Sequence, residues 1–129
     1  WIDDKQEKRQ RPIVYIGIES LMDHYQKPAS SAQKAVRILI EHYEVFFVAP
    51  LSTYAMNLSW LEEHINVPAW QHTIFTPCRE LLYGDYLIEV PSLKERAEGE
   101  ALATILEYGS DTFKTWEDII EYFSRLGGQ

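Results

Sequence analysis

Two short apolar runs without alternation constrain this chain most. Ile13-Val14-Tyr15-Ile16-Gly17-Ile18 follows Pro12, and Val45-Phe46-Phe47-Val48-Ala49 is stopped by Pro50. A β-rich run that does not alternate with polar residues suits a strand buried on both faces, as in a parallel sheet. Parallel strands need a crossover, and a helix signal lies between the two runs. Ser30 with Gln33 three residues later reads as a capping box, and Ala32, Ala35, Val36, Leu39, Ile40 and Tyr43 recur on one helical face.

The rhythm continues. A second helix is expected from about Ser52 to Ile65, with Leu58, Leu61 and Ile65 inward and Asn66 and Pro68 as its stop. Weaker strands are expected at Gln71 to Phe75, Tyr86 to Val90 and Ala103 to Leu106. A last helix is expected from about Trp116 to Leu126, with Trp116, Ile119, Ile120, Phe123 and Leu126 as its apolar stripe. Strand alternating with helix predicts an α/β fold, a three-layer Rossmann-like parallel sheet with helices on both faces. Residues 1–11, charged in both signs, read as a solvated flexible tail, leaving 12–129 as a single domain.

Composition narrows the function classes. The chain of 129 residues carries a formal charge of −8, which argues against a nucleic-acid partner, since such binding is driven by Lys and Arg. Its single cysteine, Cys78, excludes an internal disulfide and a cysteine-built zinc site, and points to a reducing, cytoplasmic setting. No run approaches the ~20 apolar residues of a membrane span, so no membrane is expected as a partner. The sequence starts at Trp1, so a preceding targeting segment is compatible with it.

In parallel α/β sheets, ligands sit beyond the carboxyl ends of the strands. Four segments occupy those ends: Gly17 to Met22, Ala49 to Thr53, Thr76 to Arg79, and Glu89 to Ser92. In order and spacing they resemble the four motifs of the haloacid dehalogenase-like superfamily, most closely its 5′(3′)-deoxyribonucleotidase branch. Gly84-Asp85-Tyr86-Leu87-Ile88-Glu89-Val90 resembles that branch's G-D-x-L-I-D-D. Ser59-Trp60-Leu61-Glu62-Glu63-His64 is similar to its K-x-x-W-[LV]-x-x-[HN] helix. Ile74-Phe75-Thr76 before Arg79 resembles the third-motif region, and Thr115-Trp116-Glu117-Asp118-Ile119 the closing tryptophan helix. The likeness spans about Ile13 to Phe123.

The resemblance implies chemistry that this chain only partly retains. Where the family reads D-x-D-G, the chain reads Gly17-Ile18-Glu19-Ser20. Gly17 holds the position of the nucleophilic Asp and has no side chain to form an aspartyl phosphate. Glu19 holds the acid/base position, one methylene longer than Asp. Ala49 stands where the family places a phosphate-binding Ser or Thr, with Ser52 and Thr53 nearby as substitutes. Arg79 matches the phosphate-balancing Lys in charge, as a planar fork and not a point charge. The acidic pair that holds magnesium becomes Glu89-Val90. Only Leu21 to Ala29 fills the interval where the nucleotidases insert a cap, so the cap is missing or vestigial.

These residues imply a catalytically degenerate nucleotidase homologue, a pseudoenzyme serving as a binding or regulatory module. Its ligand would be a nucleotide or phosphate held by Ser20, Ser52, Thr53 and Arg79, and its partner a second copy or another protein. No cofactor is expected. The alternative is a metal-dependent phosphohydrolase with magnesium on Glu19, Asp85 and Glu89; as solvated loop carboxylates, these three would have no such role. A third reading is an interaction protein with nothing in the cleft. The four histidines show no metal-ligand spacing. Cys78 beside Arg79 would make a nucleophile only if His72 or His24 folded against it. Trp70 and Tyr83, outside any periodic stripe, are candidates for a binding surface.

Overall fold

The computed structural model describes residues 11–23, 25, 27–49, 58–65, 72–76, 82–90 and 103–127. Five strands form one parallel sheet: β1 (Ile13–Gly17), β2 (Glu44–Ala49), β3 (Thr73–Phe75), β4 (Tyr86–Glu89) and β5 (Thr104–Glu107). Their order is β3-β2-β1-β4-β5. The chain leaves β1 to one side for β2 and β3, then crosses to the other side for β4 and β5. The order therefore reverses at β1, and such a switch point opens a crevice beyond the carboxyl ends of the central strands.

Both faces of the sheet bury side chains, which is why the strand runs do not alternate. Val14, Ile16, Val45, Phe47, Ala49, Ile88 and Leu106 meet α1 (Ala32–His42), α2 (Trp116–Gly127) and a π-helical segment, Leu61–Ile65, on one face. On the other, Tyr15 and Leu87 are buried with Leu82 and Ala103, which belong to the β3–β4 and β4–β5 connections. The architecture is the expected three-layer, Rossmann-like α/β fold.

Local details depart from the sequence reading. The first strand stops at Gly17, and Ile18–Leu21 turns into a 3-10 helix. Helix α1 starts after Ser31, not Ser30. Ser31 sits in the left-handed region (φ 66°) and makes no side-chain capping bond. Its hydroxyl donates instead to the Glu117 carboxylate on α2. Leu126, expected inside the last helix's stripe, is 52% exposed, while Trp116, Ile119 and Phe123 of the same stripe are buried. Arg11, the last residue of the expected tail, is tied down: its guanidinium donates to the carbonyls of Ile40 and Glu41 at 3.3 and 2.7 Å, satisfying the carboxyl end of α1.

The Ser31–Glu117 contact gives a pH-dependent prediction. The Ser31 hydroxyl first, then the backbone amide of Glu117, the Thr115 hydroxyl and the Lys34 charge, hold the Glu117 carboxyl below the ordinary glutamate range, against a smaller opposing effect of burial. A carboxylate whose pKa is lower folded than unfolded stabilises above its unfolded value, and that contribution disappears as pH falls through the folded one. Ser31→Ala should therefore melt below the parent at neutral pH. The gap should begin to narrow near pH 4, where the unfolded-state glutamate protonates, and close only at lower pH, as Glu117 protonates in the folded protein; melting curves of both proteins from pH 7 to 3 check it.

Candidate active-site crevice

Gly17 ends β1 at the middle of the sheet, between the carboxyl ends of β2 and β4. A Cβ built on it would lie 3.3 Å from the Ile88 carbonyl oxygen and 3.6 Å from Cα and Cβ of Glu89. The end of β4 thus lies close against the space where a side chain would begin, and any larger residue there would need its neighbours to give by a few tenths of an ångström.

Past Gly17 the backbone turns through Ile18–Leu21. Glu19 is exposed on this turn, whereas Ser20 is fully buried. The Ser20 hydroxyl donates to the Gly17 carbonyl at 2.7 Å, and its own carbonyl accepts the Trp116 indole N–H at 2.9 Å. Ser20 was expected to face a ligand. Its hydroxyl is spent on the turn itself, because the residue that follows a strand end into a 3-10 turn can satisfy that strand's last carbonyl.

The interval expected to be short holds a small hairpin. Met22 and Pro28 form an antiparallel bridge, Asp23 N–H donates to the Lys27 carbonyl at 2.7 Å, and Ala29 N–H donates to the Leu21 carbonyl at 2.8 Å. The Asp23 carboxylate accepts the amides of Tyr25 and Lys27 at 2.8 and 2.9 Å. Tyr25 is 82% exposed.

Glu89 ends β4 and is half-buried. Its register partner on β5 is Glu107, on the same face of the sheet. Sequence reasoning missed Glu107, although Thr104-Ile105-Leu106-Glu107 repeats the apolar-then-acid ending of Leu87-Ile88-Glu89. At the carboxyl end of β2, Ala49 is buried. Ser52, Thr53, Cys78, Arg79, Trp70 and His24 lie outside the described residues. Tyr83, a candidate surface residue, is 68% exposed, but it precedes β4 and so lies at the opposite, amino-terminal end of the sheet.

Asp85 is also at that far end, and this corrects the expected metal set. Its carboxylate accepts the Ile13 amide at 2.8 Å, and its own amide donates to the Ile13 carbonyl at 3.0 Å. Ile13 opens β1 whereas Glu19 follows its end, and four strand residues span about 13 Å. Glu19, Asp85 and Glu89 therefore do not converge. Magnesium needs an oxygen cage with carboxylate anchors, and the proposed trio does not fit it. Among the described residues, no group of three or more His, Cys, Asp or Glu side chains is placed to hold a metal ion. The Gly84-Asp85 pair is structural: Gly84 N–H donates to the Tyr15 hydroxyl at 3.0 Å, and Asp85 closes the end of the β1–β4 ladder.

His72, considered as a partner for Cys78, lies near Glu44 at the amino end of β2, with Nε2 3.5 Å from Oε1. Its ring stacks on Phe46 with centroids 5.6 Å apart. None of the described helices is long and apolar enough to cross a membrane.

No family model matches the chain. Among curated proteins, it is similar to one from Vibrio phage KVP40 named "Putative 5'(3')-deoxyribonucleotidase", 19% identical over 150 residues that cover 91% of this chain and 87% of the relative. It is also 27% identical over 109 residues to proteins of the same name from two strains of Staphylococcus epidermidis. That match takes in 74% of this chain and 59% of the relatives, so the chain aligns with little more than half of their length. At low identity, and over most of its own length, the chain is similar to proteins that carry a nucleotidase name.

Proposed function

We propose that this chain is a degenerate haloacid dehalogenase-like nucleotidase homologue that binds a nucleotide or phosphate beyond the carboxyl end of β1 without hydrolysing it. One observation carries the reading. The strand tip at the switch point is Gly17, with the Ile88 carbonyl 3.3 Å from where a side chain would start. Attack on phosphorus from that tip needs a side-chain nucleophile, and backbone alone supplies none. The nucleotidase names of the relatives support the ligand class. The β1 tip, the Glu19 carboxylate and the hairpin at Met22–Pro28 are the described parts of the site. Ser52, Thr53 and Arg79 complete it in this reading.

The alternative, a phosphohydrolase with a metal held jointly by Glu19 and Asp85, is not supported. The Asp85 carboxylate is bonded to the Ile13 amide at the other end of β1.

The test is an assay of nucleoside monophosphates and p-nitrophenyl phosphate with magnesium, run beside thermal melts. No turnover is expected. Thymidine monophosphate at a hundred times its Kd should stabilise the fold by about 2.7 kcal/mol, a rise in melting temperature of roughly 8–14 °C for a chain this size. Turnover that disappears in Glu19→Gln would overturn the proposal. A stable dimer with no response to any phosphate would favour the interaction-protein reading instead.

A further inference from the structure

The connection from β1 to α1, residues 18–31, passes beside Gly17 at the carboxyl end of the sheet, and one turn of a distant helix reaches both of its ends. At its start, the buried Ser20 carbonyl accepts the Trp116 indole N–H at 2.9 Å, while the Ser20 hydroxyl holds the Gly17 carbonyl at 2.7 Å. At its finish, the Ser31 hydroxyl donates to the Glu117 carboxylate, with Ser31 held in the left-handed region. Trp116 and Glu117 are consecutive and open α2. Trp116 is fully buried, its ring 5.4 Å from that of Tyr108, which directly follows β5. Between these anchors the connection is closed by its own bonds, Met22 N–H to the Glu19 carbonyl at 3.3 Å and Ala29 N–H to the Leu21 carbonyl at 2.8 Å.

We propose that Trp116 and Glu117 are positioning residues: the first turn of α2 clamps the β1–α1 connection at both ends and so sets the backbone geometry of the β1 tip, Gly17 to Ser20. Neither side chain is assigned contact with a ligand. Both act through the two serines. A neutral-to-neutral hydrogen bond to a buried carbonyl is the tie at one end, and a charge-assisted bond is the tie at the other. The consequence for ligand affinity rests on the nucleotide-binding reading above. The clamp itself does not.

The test uses amide hydrogen exchange on the full chain, without ligand. Trp116→Phe keeps an aromatic ring in the core and removes the N–H. Glu117→Ala removes the acceptor at the other end, and Glu117→Gln keeps a carbonyl that can accept from Ser31. Loss of one buried hydrogen bond should speed exchange of the Met22 and Ala29 amides about five- to tenfold in Trp116→Phe. Glu117→Ala should speed Ala29, and Glu117→Gln should restore it. The Phe47 and Asp85 amides, bonded within the sheet to the His72 and Ile13 carbonyls, should change no more than the drop in melting temperature requires. Equal acceleration in sheet and connection would mean a merely structural role and would overturn the clamp, as would unchanged Met22 and Ala29 or failure of Gln to restore. Should Trp116→Phe not fold, the Glu117 pair decides alone. Adding thymidine monophosphate separates the two claims: a parent that does not bind it sinks the nucleotide reading and leaves the exchange result standing. A parent that binds should lose about the same factor in affinity in Trp116→Phe.

Discussion

Gly84→Ala is expected to cost about 3 kcal/mol, near the upper end of what overpacking a filled site costs. The Cβ it adds would lie 2.6 Å from Tyr15 Cε2, 2.7 Å from Ile13 Cγ2 and 2.9 Å from Ile13 Cβ. A ring edge can swing away. Ile13 Cβ cannot, because it is fixed to the backbone that Asp85 bonds at both its amide and its carbonyl. Relief therefore has to come from moving the chain at 84, which breaks the bond from Gly84 N–H to the Tyr15 hydroxyl. In a domain of this size the loss should appear as a fall in melting temperature of roughly 9–15 °C. Calorimetry or a thermal melt reads it. A fall of less than a degree or two would mean that the Gly84–Tyr15–Ile13 contact is not as tight as described. The result also decides what the Gly-Asp pair is for, since a purely ligand-binding motif would leave stability unchanged.

Glu44→Ala should cost a similar amount, about 3 kcal/mol, the upper end of what leaving a buried polar partner unsatisfied costs. The Glu44 side chain is only 4% exposed and that of His72 12%, with Nε2 and Oε1 3.5 Å apart. Glu44 opens β2 beside Ile13 in register, its amide donating to the Pro12 carbonyl at 3.0 Å. The site of the substitution is therefore central, and the small side chain leaves a gap next to β1 as well as removing the carboxyl group beside His72. Urea unfolding measures the effect as a lower midpoint with the slope unchanged. A change below about 1 kcal/mol, the range of solvent-exposed polar pairs, would show that water reaches the two side chains. Because Glu44 and His72 lie at the amino end of the sheet, nucleotide affinity corrected for folded fraction should not move.

Much of the fold was legible because its rules are local. A strand covered on both faces cannot alternate, so Ile13 to Gly17 and Val45 to Ala49 announced themselves as unbroken apolar runs. The α1 face was readable from spacing alone, and Ala32, Ala35, Val36 and Leu39 are all buried. The candidate crevice followed from strand ends, and Gly17 does sit at the tip of the central strand. Capping was less legible. The residue before the helix is Ser31 and not Ser30, and its hydroxyl is bonded to Glu117, far along the chain, and not to the helix amides.

The sequence by itself determined the layers, the parallel sheet and the absence of a side chain at the tip of β1, since each depends on residue type and short-range period. Tertiary structure alone decided what individual polar groups do. Asp85 is one residue from its strand in sequence, yet its use is set by the Ile13 amide, 72 positions away. Ser20 looked like a ligand contact until the fold buried it between Gly17 and Trp116. Glu44, next to the apolar run Val45 to Ala49 in sequence, has His72 brought against it by the fold, 28 positions along the chain. A hydrogen bond or ion pair acts over about 3 Å, and which groups come that close is decided by how strands and helices pack, not by the order in which they are written.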